Sequence, residues 1–117
     1  MNNRTIPNSL SDFKRYLIEQ DRSERTVQAY LSDLSKFVAW FEQVNGQPFD
    51  PPTLTAIDAR EYRAHLIDMK AAPATINRLL ATLRSFGEST VQAGYWVANP
   101  INAIRGVDEQ PHAPKWL

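Results

Sequence analysis

Two segments of the sequence each place a threonine directly before a helical run of apolar residues. TVQAYLSDLSKF begins at Thr26 and TINRLLATLRSF begins at Thr75, and Thr, Leu, Leu and Phe coincide when the two are aligned. A first-turn threonine sets its hydroxyl beside backbone N–H groups that have no helical partner, at the positive end of the helix dipole. Two such helix starts could bind the phosphates of a nucleic acid. The commoner explanation is that threonine is simply tolerated near a cap and that two amphipathic helices share a core template.

The side of each helix away from its apolar residues carries short, hydroxylated or cationic side chains. At about 100° per residue, these are Arg25, Ala29, Ser32 and Lys36 on the first helix, and Thr75, Arg78, Ala81, Thr82 and Ser85 on the second. Water tolerates such a face, and a partner helix would need apolar residues that are missing. A nucleic-acid groove suits it, because at least half of protein–DNA hydrogen bonds go to phosphate and sugar. Arg78 could also reach a guanine edge. Composition alone leaves DNA and water equally acceptable.

The overall composition excludes several kinds of chemistry. The 117 residues include no cysteine, which excludes disulfides, thiolate nucleophiles and cysteine-based zinc sites. His65 and His112 are isolated, so we expect no metal and no cofactor. The net charge is zero, from 13 basic and 13 acidic residues, which counts against a strong nonspecific nucleic-acid binder. No apolar run could span a bilayer or serve as a signal segment, so we expect a cytoplasmic protein with no membrane partner and no small-molecule substrate.

Apolar residues recurring every three or four positions predict four main helices. Ser9 is expected to cap the first helix, which runs to about Gln20. Ser23 opens the longest helix, and Gly46 ends it. Thr55 and Asp58 form a capping-box variant before the third helix. That third helix is predicted to run to about Lys70, with its apolar side formed by Ile57, Tyr62, Leu66 and Met69.

A first-turn proline begins each of the two remaining elements. Pro73 opens the fourth helix, which Gly94 ends, and Asn99 with Pro100 begins a short fifth helix over about 100–105. No stretch alternates with period two, so the prediction is an all-α, compact bundle of four main helices plus a short fifth. Residues 1–8 are expected to form a flexible arm, residues 9–105 the helical domain and residues 106–117 a linker.

The order of these motifs resembles a known family. The motifs are Ser23-x-x-Thr26-x-x-x-Tyr30-x-x-Asp33-Leu34-x-x-Phe37, Thr75-Ile76-x-Arg78-x-Leu80-x-x-Leu83-Arg84-x-Phe86, and Gly94-x-x-x-x-Asn99-Pro100. Over about residues 9–116 the chain resembles the N-terminal, SAM-like core-binding domain of tyrosine recombinases, the phage integrase and Xer-like family. It departs from that pattern at Ala72, where many relatives have serine, and at Gly87, where an aromatic often follows Phe86. A kink or close packing is expected at this glycine.

The resemblance implies a function for the two unusual helix faces. Family members close around duplex DNA as a two-part clamp, and the second and fourth helices of the N-terminal domain lie against the DNA. Their catalytic residues all belong to a C-terminal domain, so we expect no enzyme activity from this segment and a linker from residue 106 to an absent catalytic domain. The resemblance also implies other protomers as partners, in a tetramer on paired recombination sites.

Nine residues are candidate DNA contacts. The first-ranked residues are Arg25, Thr26, Lys36, Thr75, Arg78 and Ser85, and the second-ranked are Arg22, Asn77 and Arg84. Arg84 lies at the edge of the apolar stripe and could instead pair with a carboxylate inside the bundle. The alternative function is a helical protein-interaction module without DNA binding, which would use the first helix and the apolar residues Tyr95, Trp96 and Val97.

Overall fold

A computed structural model describes residues 6–108 of the chain, and within that range the fold is entirely helical. Its elements are α1 (Ile6–Glu19), α2 (Glu24–Asn45), a first 3₁₀ helix (Pro51–Thr53), α3 (Ala56–Asp68), α4 (Pro73–Gln92) and a second 3₁₀ helix (Pro100–Ala103). The predicted all-α bundle is therefore confirmed, with the short fifth helix present as 3₁₀ rather than α. None of the helices in this range is long and apolar enough to cross a bilayer.

The first helix begins earlier than the sequence suggested. Ser9 was expected to cap α1, but the helix starts at Ile6 and includes Pro7 in its first turn. Proline is compatible with that position because its missing N–H would have no helical partner there. Residues 1–5 of the predicted arm and residues 109–117 of the predicted linker lie outside the described residues.

Side-chain caps fix the starts of α2 and α3. Ser23 Oγ accepts a hydrogen bond from the Thr26 backbone N–H at 3.1 Å. Thr55 and Asp58 form the complete capping box, in which each side chain accepts from the other residue's backbone N–H. Gly46 ends α2 in the left-handed conformation, with φ of 71°. Helix α4 begins at Pro73 after Ala72, which provides no side-chain cap.

The core forms where α4 packs against the other three helices and the second 3₁₀ helix. Phe13 from α1, Phe37 from α2 and Phe86 from α4 are each at most 2% exposed. The ring of Phe37 meets the rings of Phe49 and Tyr62 edge to face, at centroid distances of 5.8 and 5.1 Å. Burial of these rings contributes to the apolar driving force for folding, and their edge-to-face geometry is a favourable one for aromatic pairs.

The apolar side predicted for α3 is partly wrong. Tyr62 and Leu66 are buried as expected, but Ile57 is 60% and Met69 66% exposed. The buried row also includes Ala59, three residues before Tyr62, and this row sets which side of α3 faces the core. Ile57 falls on the opposite side of the helix, and Met69 lies just beyond its last turn.

Candidate nucleic-acid interface

A two-point ion pair joins α2 to α4 across 45 residues of sequence. Arg78 donates from Nε to Asp33 Oδ2 at 3.0 Å and from Nη2 to Asp33 Oδ1 at 2.8 Å. Thr82, one turn further along α4, donates from Oγ1 to Asp33 Oδ2 at 3.0 Å. The Asp33 side chain is 2% exposed, whereas the Arg78 side chain is 48% exposed. The carboxylate therefore lies inside the helix–helix seam, and the guanidinium lies at its mouth.

This arrangement holds Arg78 in one orientation without using all of its donors. A guanidinium carries five N–H groups in a rigid fork, and Asp33 occupies only one edge of that fork. The hydrogen bond to Asp33 also raises the pKa of Arg78 above its ordinary value, so the cation is retained. A half-exposed and pre-oriented arginine is suited to bind an anion that approaches from the solvent side.

The cationic residues of α2 lie on the solvent side of this seam. Asp33 marks the side of α2 that faces the seam. At about 100° per residue around the helix axis, the core residue Leu34 lies to one side of Asp33. Arg25 and Lys36 fall on the other side, and both are exposed. Arg25 and Lys36, three turns apart, thus border the seam along one flank of α2.

The matching flank of α4 is defined in the same way. Thr82 lies in the seam, where it donates to Asp33, and is 0% exposed. Arg78 and Ser85 follow on the side away from the core, with Ala81 beside them. Because both flanks lie opposite the core and border one seam, they form a single surface. We call this surface, made of Arg25, Ser32, Lys36, Arg78, Ala81 and Ser85, the seam surface.

Electrostatics on the seam surface favour an anion. Besides Arg78, the seam surface carries the exposed cations Arg25 and Lys36, and its other members are small and uncharged. On the same flank of α4, Glu88 is the one exposed carboxylate, at the far end of the helix, where it accepts a hydrogen bond from Asn99 Nδ2 at 2.9 Å. Within residues 6–108, no group of three acidic or histidine side chains could hold a metal ion.

The structure changes the interpretation of the three threonines. Thr82 was expected on the exposed face, but it is fully buried and donates a hydrogen bond to Asp33, so that expectation is wrong. The backbone N–H of Thr26 donates to Ser23 Oγ, and the Ser23 hydroxyl donates to Thr26 Oγ1 at 3.0 Å. Part of the free-amide site expected at the start of α2 is therefore already occupied by its own cap. Thr75 is half-buried in the first turn of α4, where no side chain caps the helix.

The three second-ranked residues have partners inside the chain. The Arg22 guanidinium lies over the ring of Tyr30, 5.9 Å from its centroid. Asn77 Nδ2 donates to the carbonyl of Val107 at 2.7 Å, and Arg84 Nη2 donates to the carbonyl of Ile104 at 3.0 Å. Arg84 thus bonds a backbone carbonyl, not the carboxylate that was considered as an alternative. We do not include these three residues in the seam surface.

Sequence reasoning missed the part played by Asp33. The signal was present, because Asp33 is a carboxylate placed directly before a core leucine in the middle of an apolar helix. A buried carboxylate needs a cation or several donors. Its partner could not be chosen from the sequence, which offers eight arginines within the described range and no rule for which one lies opposite.

The chain belongs to the family of phage integrase N-terminal SAM-like domains, whose family model matches residues 10–94. The resemblance found from the motifs is thereby confirmed. Curated relatives are tyrosine recombinases. The chain is 34% identical to tyrosine recombinase XerC of Treponema denticola over 95 residues, covering 81% of this chain and 30% of the relative. It is 30% identical to tyrosine recombinase XerD of Listeria monocytogenes over 109 residues, covering 92% and 36%.

A third curated relative is also a tyrosine recombinase. Tyrosine recombinase XerC of a Methylobacterium species is 31% identical over 102 residues, covering 85% of this chain and 32% of the relative. The chain thus spans about a third of the length of the curated relatives that it matches. No solved structure matches the chain.

Proposed function

We propose that this chain is the DNA-binding domain of a site-specific tyrosine recombinase and that its seam surface lies against one face of duplex DNA. The observation that carries the proposal is Arg78, which Asp33 holds in a fixed orientation at the mouth of the α2–α4 seam. Membership of the integrase family and the recombinase relatives support the same function. Strand cleavage and rejoining would belong to a catalytic domain outside this chain, acting together with other protomers on paired sites.

Each part of the seam surface has a distinct task in this proposal. Arg25 and Lys36 would neutralise phosphates, with release of the counterions that condense on DNA. Arg78 would donate from the edge of its guanidinium that Asp33 leaves open, either to a phosphate or to a guanine. Ala81 and Ser85 would let the α4 backbone come close to the duplex. Thr26 and Thr75 remain candidate contacts at the helix starts.

The zero net charge of the chain limits how strongly its affinity for DNA should depend on salt. A protein without excess positive charge gains little from the long-range attraction that dominates nonspecific binding. Affinity would then depend on the few cations of the seam surface. The expected slope of log affinity against log salt is correspondingly small, close to the number of phosphates that they contact.

The direct test measures binding of the 117-residue chain to a fluorescently labelled duplex of about 30 base pairs, by anisotropy at several salt concentrations. Lys36→Ala and Arg25→Ala should each lower the salt slope by about one. Arg78→Lys keeps the charge but loses the fork, so it should weaken binding with little change in slope. Arg60→Ala is the matched control, because it removes an exposed cation from α3.

Two results would count against this function. Equal affinities for the wild type, the seam variants and Arg60→Ala would remove the seam surface as the site. Undetectable binding by the wild type, even at low salt, would favour the protein-interaction module, for which the fully exposed Val97 and partly exposed Tyr95 offer apolar contacts.

A further inference from the structure

We propose that Arg63, Asn77 and Arg84 are positioning residues that dock the segment Ile104–Val107, here called the exit segment, along α4. Docking makes the polypeptide leave the helical bundle at a fixed place beside the seam surface. The functional meaning of this place rests on the proposed DNA-binding function, whereas the docking itself does not.

Side chains from two helices hold the backbone of the exit segment. Arg84 Nη2 donates to the Ile104 carbonyl at 3.0 Å, and Arg63 Nη1 from α3 donates to the Arg105 carbonyl at 2.7 Å. Asn77 bonds Val107 twice, because Nδ2 donates to its carbonyl and Oδ1 accepts from its N–H, both at 2.7 Å. The segment has no helical or strand structure of its own. These side chains therefore satisfy backbone groups that a helix or sheet would otherwise bond.

Packing reinforces the hydrogen bonds. Ile104 is 3% exposed and belongs to the core, and Val107 packs against the core from a half-buried position. Gly106 lies so close to α4 that a Cβ atom there would come within 2.4 Å of Asn77 Oδ1. The Asn77 side chain could move away only by losing its two bonds to Val107. A glycine at position 106 is thus a requirement of the docked state.

The docked segment borders the seam surface along α4. Asn77 lies about 100° from Arg78 around the helix axis, and Arg84 lies on the same side of the helix as Asn77. Helix α4 therefore carries the seam with α2 along one edge, the exposed Arg78 and the partly buried Ser85 in the middle, and the exit segment along the other edge. The exit segment thus lies next to the residues proposed to contact DNA, and three side chains set its path.

Limited trypsin digestion of the 117-residue chain tests the docking without DNA. The measured quantity is the cleavage rate of the Arg105–Gly106 bond, followed by mass spectrometry and divided by the rate at Arg22–Ser23 in the loop between α1 and α2. Asn77→Ala removes two hydrogen bonds and should raise this ratio roughly tenfold or more. Gly106→Ala should raise it as well, although it changes no residue of α4.

Three further variants complete the design. Arg84→Ala should raise the ratio, and Arg84→Lys should restore part of the protection because lysine keeps a donor for the Ile104 carbonyl. Arg60→Ala is the matched control and should leave the ratio unchanged, since it removes an exposed α3 arginine that has no bond to the exit segment.

Two outcomes would overturn the proposal. The first is an unchanged ratio in Asn77→Ala and Gly106→Ala. The second is an equal rise at Arg78–Leu79 within α4, because these residues would then hold the whole bundle and not the exit segment. Failure of the digestion experiment leaves the anisotropy test of DNA binding unaffected, and the reverse also holds, so the two proposals stand or fall separately.

Discussion

Gly87 on α4 and Asn99 before the second 3₁₀ helix approach so closely that a Cβ atom on Gly87 would lie 2.0 Å from Asn99 Oδ1. Asn99 is 8% exposed, and its Nδ2 donates to the carbonyl of Arg84 and to Glu88 Oε2, each at 2.9 Å. Its Oδ1 accepts from the Ile101 N–H at 3.0 Å. The close packing anticipated at this glycine is therefore confirmed, and its cause is an asparagine that ties α4 to the start of the next element.

Gly87→Ala should destabilise the protein despite the higher helix propensity of alanine. Overpacking against Asn99 is expected to cost about 1–3 kcal/mol, against a propensity gain of up to about 1 kcal/mol. Urea denaturation measures the difference. In the Gly87→Ala, Asn99→Ala double variant the clash is absent, so its loss of stability should be smaller than the sum of the two single losses. Simple additivity would contradict the contact.

The two halves of the Asp33–Arg78 pair should differ in their effect on stability. Arg78→Ala leaves a carboxylate at 2% exposure with Thr82 as its donor, and should cost about 3–5 kcal/mol. Asp33→Asn leaves a half-exposed guanidinium that water can solvate, and should cost less, about 1–3 kcal/mol. Thermal and urea unfolding of both variants, with Arg60→Ala as control, give the order. A larger loss for Asp33→Asn would mean that the burial of the two groups is assigned the wrong way round.

Stability should fall at alkaline pH because of Tyr62. Burial, and secondarily the charge of Asp33, raise the pKa of Tyr62 to about 12 from 10.0. The folded state favours the neutral phenol, so this contribution is complete below pH 10 and is lost as the pH rises towards 12. The loss amounts to at most about 3 kcal/mol. The difference in unfolding free energy between wild type and Tyr62→Phe, measured from pH 8 to 12, gives the contribution of the Tyr62 phenol alone. A difference that stays flat over this range would refute the raised pKa.

Helix α4 can be stabilised at its start. Ala72 occupies the N-cap position with extended backbone angles, φ −63° and ψ 143°, and makes no side-chain cap bond. Ala72→Ser should let a hydroxyl accept from an unpaired first-turn N–H and raise stability by about 0.5–1 kcal/mol. Ser23→Ala, the reverse change at the capped start of α2, should lower stability by a similar amount. Melting temperatures that shift in the same direction for both variants would rule out this account.

The seam surface shows how far local patterns reach. Arg25, Lys36 and Arg78 could be placed on the sides of α2 and α4 opposite the core, because a helix turns by a constant angle and the apolar residues mark its inner side. Thr82 was placed wrongly on the exposed face, and Asn77 was taken as a DNA contact although it bonds Val107, because both lie between the apolar stripe and the face opposite it. At such a position, a rotation of a few tens of degrees decides between burial and exposure.

The sequence by itself determined the number of main helices, most of their starts and stops, and the family to which the chain belongs. Caps such as Ser23, Thr55 and Gly46 act within one turn, and apolar spacing acts within one helix, so neither needs knowledge of the rest of the fold. The tertiary structure alone decided that Asp33 meets Arg78, that Asn77 and Arg84 bond the exit segment, and that Ile57 faces water. Those contacts join residues 20 to 45 positions apart, or depend on which side of α3 meets the core. The relative rotation and register of packed helices set them, and no short stretch of sequence encodes either.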